Sequence, residues 1–225
     1  MIDSDNWDPW TVSGDLTHVP QTAAVRQAPK PANDNSRPLM IGITGKRNVG
    51  KSTVATLLEE KYGFARAHAF DGGKEAALAY FVHITGDYPA ANRMVYGDLK
   101  DKPSEHLPGN VPPRFFLEKF GHFMGDTMGV DWTLAMEINR IRRQTPKAPI
   151  VVESLVYEAP WFKSHGGFVL RLERPDFDGP AGIASDSVQA GIEADETIMA
   201  RSVEELERKA EWLADRLVGD QRWAA

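Results

Sequence analysis

The sequence predicts an α/β fold of three layers, α/β/α, in which a five-stranded parallel sheet is covered by helices on both faces. Three observations predict it. The apolar stretch Leu39, Met40, Ile41 and Ile43 runs into Gly45-Lys46-Arg47-Asn48-Val49-Gly50-Lys51-Ser52, and a helical pattern follows. From Leu39 onward, strand-like and helix-like segments alternate, which places a parallel sheet between helices. The chain closes on an amphipathic helix whose apolar stripe needs a sheet to cover.

The elements follow in order. Residues 39–43 form a continuous apolar run broken only by Gly42, the mark of a strand buried on both faces. Val54, Leu57 and Leu58, set among Lys51, Glu59, Glu60 and Lys61, give the first helix. Residues 64–70 read as a second strand ending in a turn at Asp71-Gly72-Gly73, and 74–84 as a helix. A stretch rich in Gly, Pro and Asp spans 86–113, with a short helix near 92–99; helices are expected over 114–128 and 132–143. Strands are expected at 148–152, 168–172 and 197–200. The run 174–193 carries Pro175, Gly179, Pro180, Gly182 and Gly191 with little core character, and reads as a mobile lid. In the last helix Ser202 and Glu205 form a capping box, and Val203, Leu206, Ala210, Leu213 and Leu217 make the apolar stripe.

Ahead of this domain, expected over 38–225, residues 1–37 hold Pro9, Pro20, Pro29 and Pro31 among Asn, Asp, Gln and Ser. Such a stretch buries too little apolar surface to offset chain entropy and is expected to be a flexible N-terminal tail. Its Trp7 and Trp10 either dock on the core or a partner, or sit in the mobile segment. At 225 residues, the chain has length for one good core. Its 32 acidic against 26 basic residues, net charge −6, weigh against a grip on duplex nucleic acid. With no cysteine, disulfides and thiolate metal sites are excluded. No apolar run reaches membrane-spanning length, and the first residues, with Asp3, Asp5 and Asp8, do not resemble a signal peptide, so a cytoplasmic protein without membrane association is expected.

Residues 45–52 match the G-x-x-x-x-G-K-[ST] phosphate-binding loop in full, between a strand and a helix. The chemistry needs that layout. Glycines let successive backbone N–H groups aim at the β- and γ-phosphates of a nucleotide, and the positive end of the helix adds to their field. Lys51 neutralises the β/γ oxygens, and the Ser52 hydroxyl ligates Mg²⁺. Gly45, Lys46, Asn48, Val49, Gly50, Lys51, Ser52 and Thr53 are thus the candidate ATP-binding residues.

The reaction needs other positions. No Asn-Lys-x-Asp segment of the guanine-reading kind is present, and the strand ending Val151-Val152-Glu153-Ser154 carries a single carboxylate where a helicase-like motor more often has adjacent acidic residues. The small size and the lid point instead to a phosphotransferase that closes over its substrates to exclude water.

Several segments in order resemble the phage-type deoxynucleoside monophosphate kinases. They are the loop through Thr53 with its paired Lys46-Arg47, then Ala69-Phe70-Asp71-Gly72-Gly73-Lys74, then Arg114-x-x-x-Glu118-x-x-Gly121 followed by Asp131-Trp132. Val151-Val152-Glu153, Arg174-Pro175, and Ser185 to Ile192 leading to Ile198 complete the set, from Met40 to about Leu213. The resemblance implies a P-loop kinase-like fold and ATP- and Mg²⁺-dependent transfer of the γ-phosphoryl group to a deoxynucleoside 5′-monophosphate, a small-molecule substrate. It also implies a homodimer. By that analogy Lys51, Arg47 and Arg174 are the catalytic cations, and Ser52 and Glu153 organise Mg²⁺. Asp71, Lys74, Arg114, Glu118, Asp131, Trp132 and Glu153 then line the acceptor site.

The sequence departs from the family in three places. Glu153 stands where Asp followed by Arg is usual, Glu118 stands for Gln, and Met199 for Asn. Losing a bidentate arginine is not conservative, so the acceptor stays open. A monophosphate acceptor needs cations and no base, whereas a hydroxyl acceptor, on a modified nucleotide or a hydroxymethylated base in DNA, needs a carboxylate within reach. Asp71 is either that base or a turn residue before Gly72-Gly73. A nucleotide-binding protein without catalysis is the third reading.

Overall fold

The computed structural model describes residues 38–177 and 188–223. The candidate tail with Trp7 and Trp10, and the centre of the candidate lid with Ser185, lie outside the described residues. Five strands, β1 (Met40–Thr44), β2 (Ala65–Ala67), β3 (Ile150–Val152), β4 (Phe168–Glu173) and β5 (Glu196–Met199), form one sheet in the order β2-β3-β1-β4-β5. All four pairings are parallel, with Ile41 facing Val151 on one side and Phe168 on the other. The fold is the three-layer P-loop kinase-like α/β sandwich.

The helices are α1 (Lys51–Tyr62), α2 (Asp71–Thr85), α3 (Tyr88–Tyr96), α4 (Pro113–Met128), α5 (Val130–Gln144), α6 (Ala159–Ser164) and α7 (Val203–Trp223). Strand periodicity splits the core. Ile41, Ile43, Val151, Leu170 and Leu172 pack on Val54, Leu58, Leu206 and Leu213 of α1 and α7. Met40, Ile150, Val152 and Val169 point the other way, against Leu134, Ile138 and Ile141 of α5 and Phe162 of α6. A third cluster, with Leu78, Phe81, Met94, Val95 and Leu117, joins α2, α3 and α4 beside the sheet. No helix among the described residues is long and apolar enough to cross a membrane.

Several expectations are corrected. The second strand stops at Ala67, because the chain turns at His68: Asp71 N–H donates to His68 O (3.0 Å) and Phe70 N–H to His68 Nδ1 (3.0 Å). Asp71-Gly72-Gly73 is the first turn of α2 and not a separate turn. Gly73 is tolerated there because a Cβ would collide with the Phe70 ring. The short helix runs over Tyr88–Tyr96, earlier than expected, capped by Asp87 Oδ1 accepting from Ala90 N–H at 3.1 Å. Helix α6 went unforeseen; six residues with Pro160 near its start are too few to show a period. In α7 the Ser202 Oγ accepts from Glu205 N–H, but Glu205 reaches back to the N–H of Arg201, one residue beyond the usual partner. Val203 is exposed and outside the stripe, while Ala214 is buried within it.

Candidate active site

Gly45, His68, Glu153 and Arg174 follow the carboxyl ends of β1, β2, β3 and β4 of the parallel sheet, where such sheets bind ligands, and all but His68 are sequence candidates. The loop between β1 and α1 needs its glycines. Gly45 has φ 137°, and a Cβ there would strike the Leu172 carbonyl oxygen. Gly50, at φ 104°, precedes the helix in the left-handed region, and a Cβ there would meet Leu206. Asn48 also has positive φ (62°), a conformation that Asn tolerates. Lys51 folds over the loop, its Nζ donating to the carbonyls of Gly45 (2.7 Å) and Lys46 (2.8 Å). Val49 is buried in the core and holds the loop down.

The loop opens into a cleft of about 980 Å³. Arg47, Asn48, Gly50, Lys51 and Ser52 line one end. Lys74, Lys100, Arg114 and Glu118 line it from α2, the loop after α3, and α4, with Glu153 following β3. Lys46, Gly45 and Thr53 belong to the loop and its helix without lining the cleft. Arg114 makes a bidentate ion pair with Asp101, its Nη2 2.9 Å from Oδ2, and that hydrogen bond holds the Asp101 carboxyl below its usual range. Lys100 sits between Arg114 and Lys74; burial, and then these two cations, lower its ammonium pKa. A lysine so placed is stabilised by an arriving anion. Glu153 faces Arg66 Nη1 at 3.5 Å.

Ser52 and Glu153 supply a hydroxyl and a carboxylate to the same cleft, oxygen donors of the kind Mg²⁺ prefers. Among the described residues no group of three or more His, Cys, Asp or Glu is arranged to hold a metal, so an ion here would take its other ligands from water and phosphate.

Other candidates lie elsewhere. Asp71 Oδ1 accepts from Lys74 Nζ at 2.9 Å and does not line the cleft. Asp131, in the first turn of α5, and Trp132, 45% exposed, are also outside the lining; burial raises the Asp131 carboxyl. Arg174 lies over the Phe177 ring, 5.4 Å from its centroid, and outside the cleft as well.

Sequence reasoning missed Lys100, His68, His122, Asp126 and Tyr157, which line the cleft, and Glu158 just behind it. No motif marks them; they meet only in the fold. A smaller chamber of about 180 Å³ adjoins the cleft, sharing His68, Phe70, Gly121, Gly125, Val130 and Tyr157 as walls. Burial pushes the Glu158 carboxyl up to about 7, against the N–H groups of its own turn, which favour the carboxylate. Burial, then Lys74, pushes the His68 imidazole down to about 4.

These two shifts have opposite signs in stability. Glu158, raised in the fold, contributes stability that is complete below about 4.5 and lost as pH rises to about 7; His68, lowered, contributes stability that is lost as pH falls from about 6.5 to about 4. In Glu158→Gln only the first dependence disappears. The melting temperature of the variant relative to wild type is therefore expected to climb between pH 4.5 and 7 and level off above, checked by thermal melts across that range. A flat difference would mean that Glu158 titrates normally.

The chain matches no protein-family model. It is 25% identical over 163 residues, 66% of this chain and 77% of the relative, to the "Putative deoxynucleotide monophosphate kinase" of Acanthamoeba polyphaga mimivirus. Among solved structures, TT1252 from Thermus thermophilus aligns at a TM-score of 0.38 with 18% identity, covering 80% of this chain and 98% of that one. The dephospho-CoA kinase of Campylobacter jejuni aligns at 0.38 with 14% identity, covering 80% and 98%. Alignments at that level add nothing to what the strand order already gives. Its loop and strand order give the chain a P-loop kinase-like fold, and its sequence relative carries the name of a kinase.

Proposed function

We propose that the protein transfers the γ-phosphoryl group of ATP to a deoxynucleoside 5′-monophosphate, giving the diphosphate. One observation carries this: Lys74, Lys100 and Arg114 gather in the cleft that the phosphate-binding loop opens, with Arg47 at the loop end. A phosphate acceptor already bears an anionic oxygen, so the barrier to overcome is repulsion between two phosphates. Cations on both sides lower that barrier, and no proton has to be removed.

Lys51 leaves the Gly45 and Lys46 carbonyls for the β/γ oxygens of ATP, while the loop N–H groups hold the remaining charge. Ser52 would hold Mg²⁺ directly and Glu153 would hold it through water, and the ion would neutralise the charge developing on the phosphates. Arg114, oriented by Asp101, and Lys74, oriented by Asp71, clamp the acceptor phosphate, and Lys100 adds a third charge. Arg174, at the start of the candidate lid, brings charge on closure. The fold domain over 38–225 carries the reaction and the tail over 1–37 is dispensable to it.

The hydroxyl-acceptor reading relies on Asp71 as base, but Asp71 is paired with Lys74 and itself lies outside the cleft lining, which weighs against it. Asp71→Asn is therefore expected to retain activity within about tenfold of wild type, since only the orientation of Lys74 is weakened. A loss beyond roughly a hundredfold in single-turnover transfer, with an acidic limb missing from the pH–rate profile, would favour the hydroxyl acceptor. The reading as a whole is tested by ADP release with ATP, Mg²⁺ and a panel of nucleoside monophosphates, nucleosides and hydroxymethylated DNA. Turnover is expected with monophosphates alone; turnover with the polymer or nucleoside only would overturn the proposal.

A further inference from the structure

The smaller chamber shares part of its walls with the cleft. Ala69, Met124, Thr133, Val156 and Glu158 line it without lining the cleft, and no loop residue lines it. At about 180 Å³ it is smaller than a pocket for a whole ligand, roughly 300–1,000 Å³, and suits one end of a molecule whose phosphate lies among the cations. Its walls are made for a flat group. Phe70 and Tyr157 offer aromatic faces for stacking. Gly121 and Gly125, one turn apart on α4, present bare backbone: a Cβ on Gly121 would come to 3.6 Å from Phe70, and one on Gly125 to 3.2 Å from Val130 Cγ1. Two glycines inside a helix each cost stability relative to alanine; here they let Phe70 and Val130 lie close against α4 where it walls the chamber.

We infer that this chamber takes the base of the acceptor and that Glu158 selects guanine there. The inference rests on the monophosphate reading and goes beyond it by naming the base. Glu158 is 4% exposed and lines the chamber without lining the cleft. Burial keeps part of this carboxyl protonated near neutral pH; a ligand edge with two N–H donors favours the ionised form, which offers acceptors only. The Thr133 hydroxyl donates to Val130 O at 2.8 Å, so it too presents an oxygen lone pair. His68, whose Nδ1 accepts from Phe70 N–H, and the Ser154 hydroxyl also line the chamber and can donate, so it is the Glu158 carboxylate that calls for a ligand edge with two adjacent donors. Guanine carries N1–H and the N2 amino group side by side, which match two carboxylate oxygens. Adenine and cytosine set one amino group beside a ring-nitrogen acceptor, and thymine sets one N–H between two carbonyls; each would place an acceptor against the carboxylate. The N–H groups of Val156, Tyr157 and Glu158 that favour the charged form also fix the carboxylate from behind, leaving its remaining lone pairs for the ligand.

The test is calorimetric binding of dGMP, dAMP, dCMP and dTMP to the full chain without ATP, in wild type, Glu158→Gln and Gly121→Ala. Wild type is expected to bind dGMP about tenfold to a hundredfold tighter than the others, the worth of one bidentate base contact. Glu158→Gln, which turns an amide N–H toward the guanine donors, is expected to erase that preference while leaving dTMP within about threefold. Gly121→Ala, a substitution that favours the helix, narrows the slot and is expected to weaken dGMP at least about tenfold without changing ATP binding. If monophosphates bind with no preference for guanine, or if dGMP binding survives both substitutions, the inference falls and the monophosphate reading stands. If no monophosphate binds the folded protein, the monophosphate reading falls as well. Should Glu158→Gln fail to fold, the wild-type preference and Gly121→Ala decide the matter.

Discussion

Lys51→Ala is expected to fold normally and to lose phosphoryl transfer by on the order of 10² to 10³ in rate, the usual effect of removing one preorganised charge from a closed site. The folding half follows from position. Lys51 opens α1, half-buried, and its ammonium bonds to carbonyls of the adjoining loop, while Val54, Leu57 and Leu58 bury the helix. The catalytic half follows from chemistry. Two carbonyl oxygens of the loop, at 2.7 and 2.8 Å, hold the ammonium against the loop whose N–H groups would take the phosphates, close to where the proposed reaction needs it. Circular dichroism and single-turnover transfer check both halves, and near-normal turnover in a folded variant would remove the loop from the chemistry.

Arg114→Met is expected to lower kcat/KM for the acceptor by about tenfold to a hundredfold, the loss of one charge-assisted contact to phosphate, with KM for ATP unchanged. Arg114 stands at the start of α4, its guanidinium held by both oxygens of Asp101 and so presented in a fixed plane. Methionine keeps much of the stem's bulk. Asp101 loses its partner, yet its side chain is 65% exposed, so water replaces the arginine at small cost to stability. Steady-state kinetics with each substrate varied in turn check this. An equal rise in KM for ATP would place Arg114 at the donor end and not at the acceptor.

The difference between what could and could not be read from the sequence has a physical basis. The phosphate-binding loop was legible because its chemistry needs contiguous residues: Gly45, Gly50, Lys51 and Ser52 act through one backbone turn. Sheet and helix order were legible from the apolar runs, since strands such as β1 and β3 are buried on both faces. Asp71-Gly72-Gly73 misled, because two glycines signal a turn; here Gly73 makes room for the Phe70 ring inside a helix that starts at Asp71, an acidic residue suited to a helix N-terminus. Lys74 and Arg114 came from a resemblance, and Asp131, Trp132 and Arg174, from the same source, lie outside the cleft. Lys100 could not be found from sequence. It sits in an irregular stretch placed by Leu99 N–H on Arg93 O (3.2 Å) and Arg114 N–H on Lys100 O (2.9 Å), contacts between segments with no shared period. Glu158 and His68 were hidden for the same reason, since their perturbation comes from burial.

The identity of the phosphorylated product tests the central claim most directly. With ATP, Mg²⁺ and dGMP as acceptor, ³¹P NMR of the reaction is expected to show the dGMP phosphomonoester resonance falling and the coupled nucleoside-diphosphate resonances growing by two equivalents per ATP consumed, one as ADP and one as the product, with no change in the absence of acceptor. One diphosphate equivalent per ATP with a new phosphomonoester resonance, or ADP and free phosphate formed at the same rate with and without acceptor, would contradict transfer to a nucleoside monophosphate.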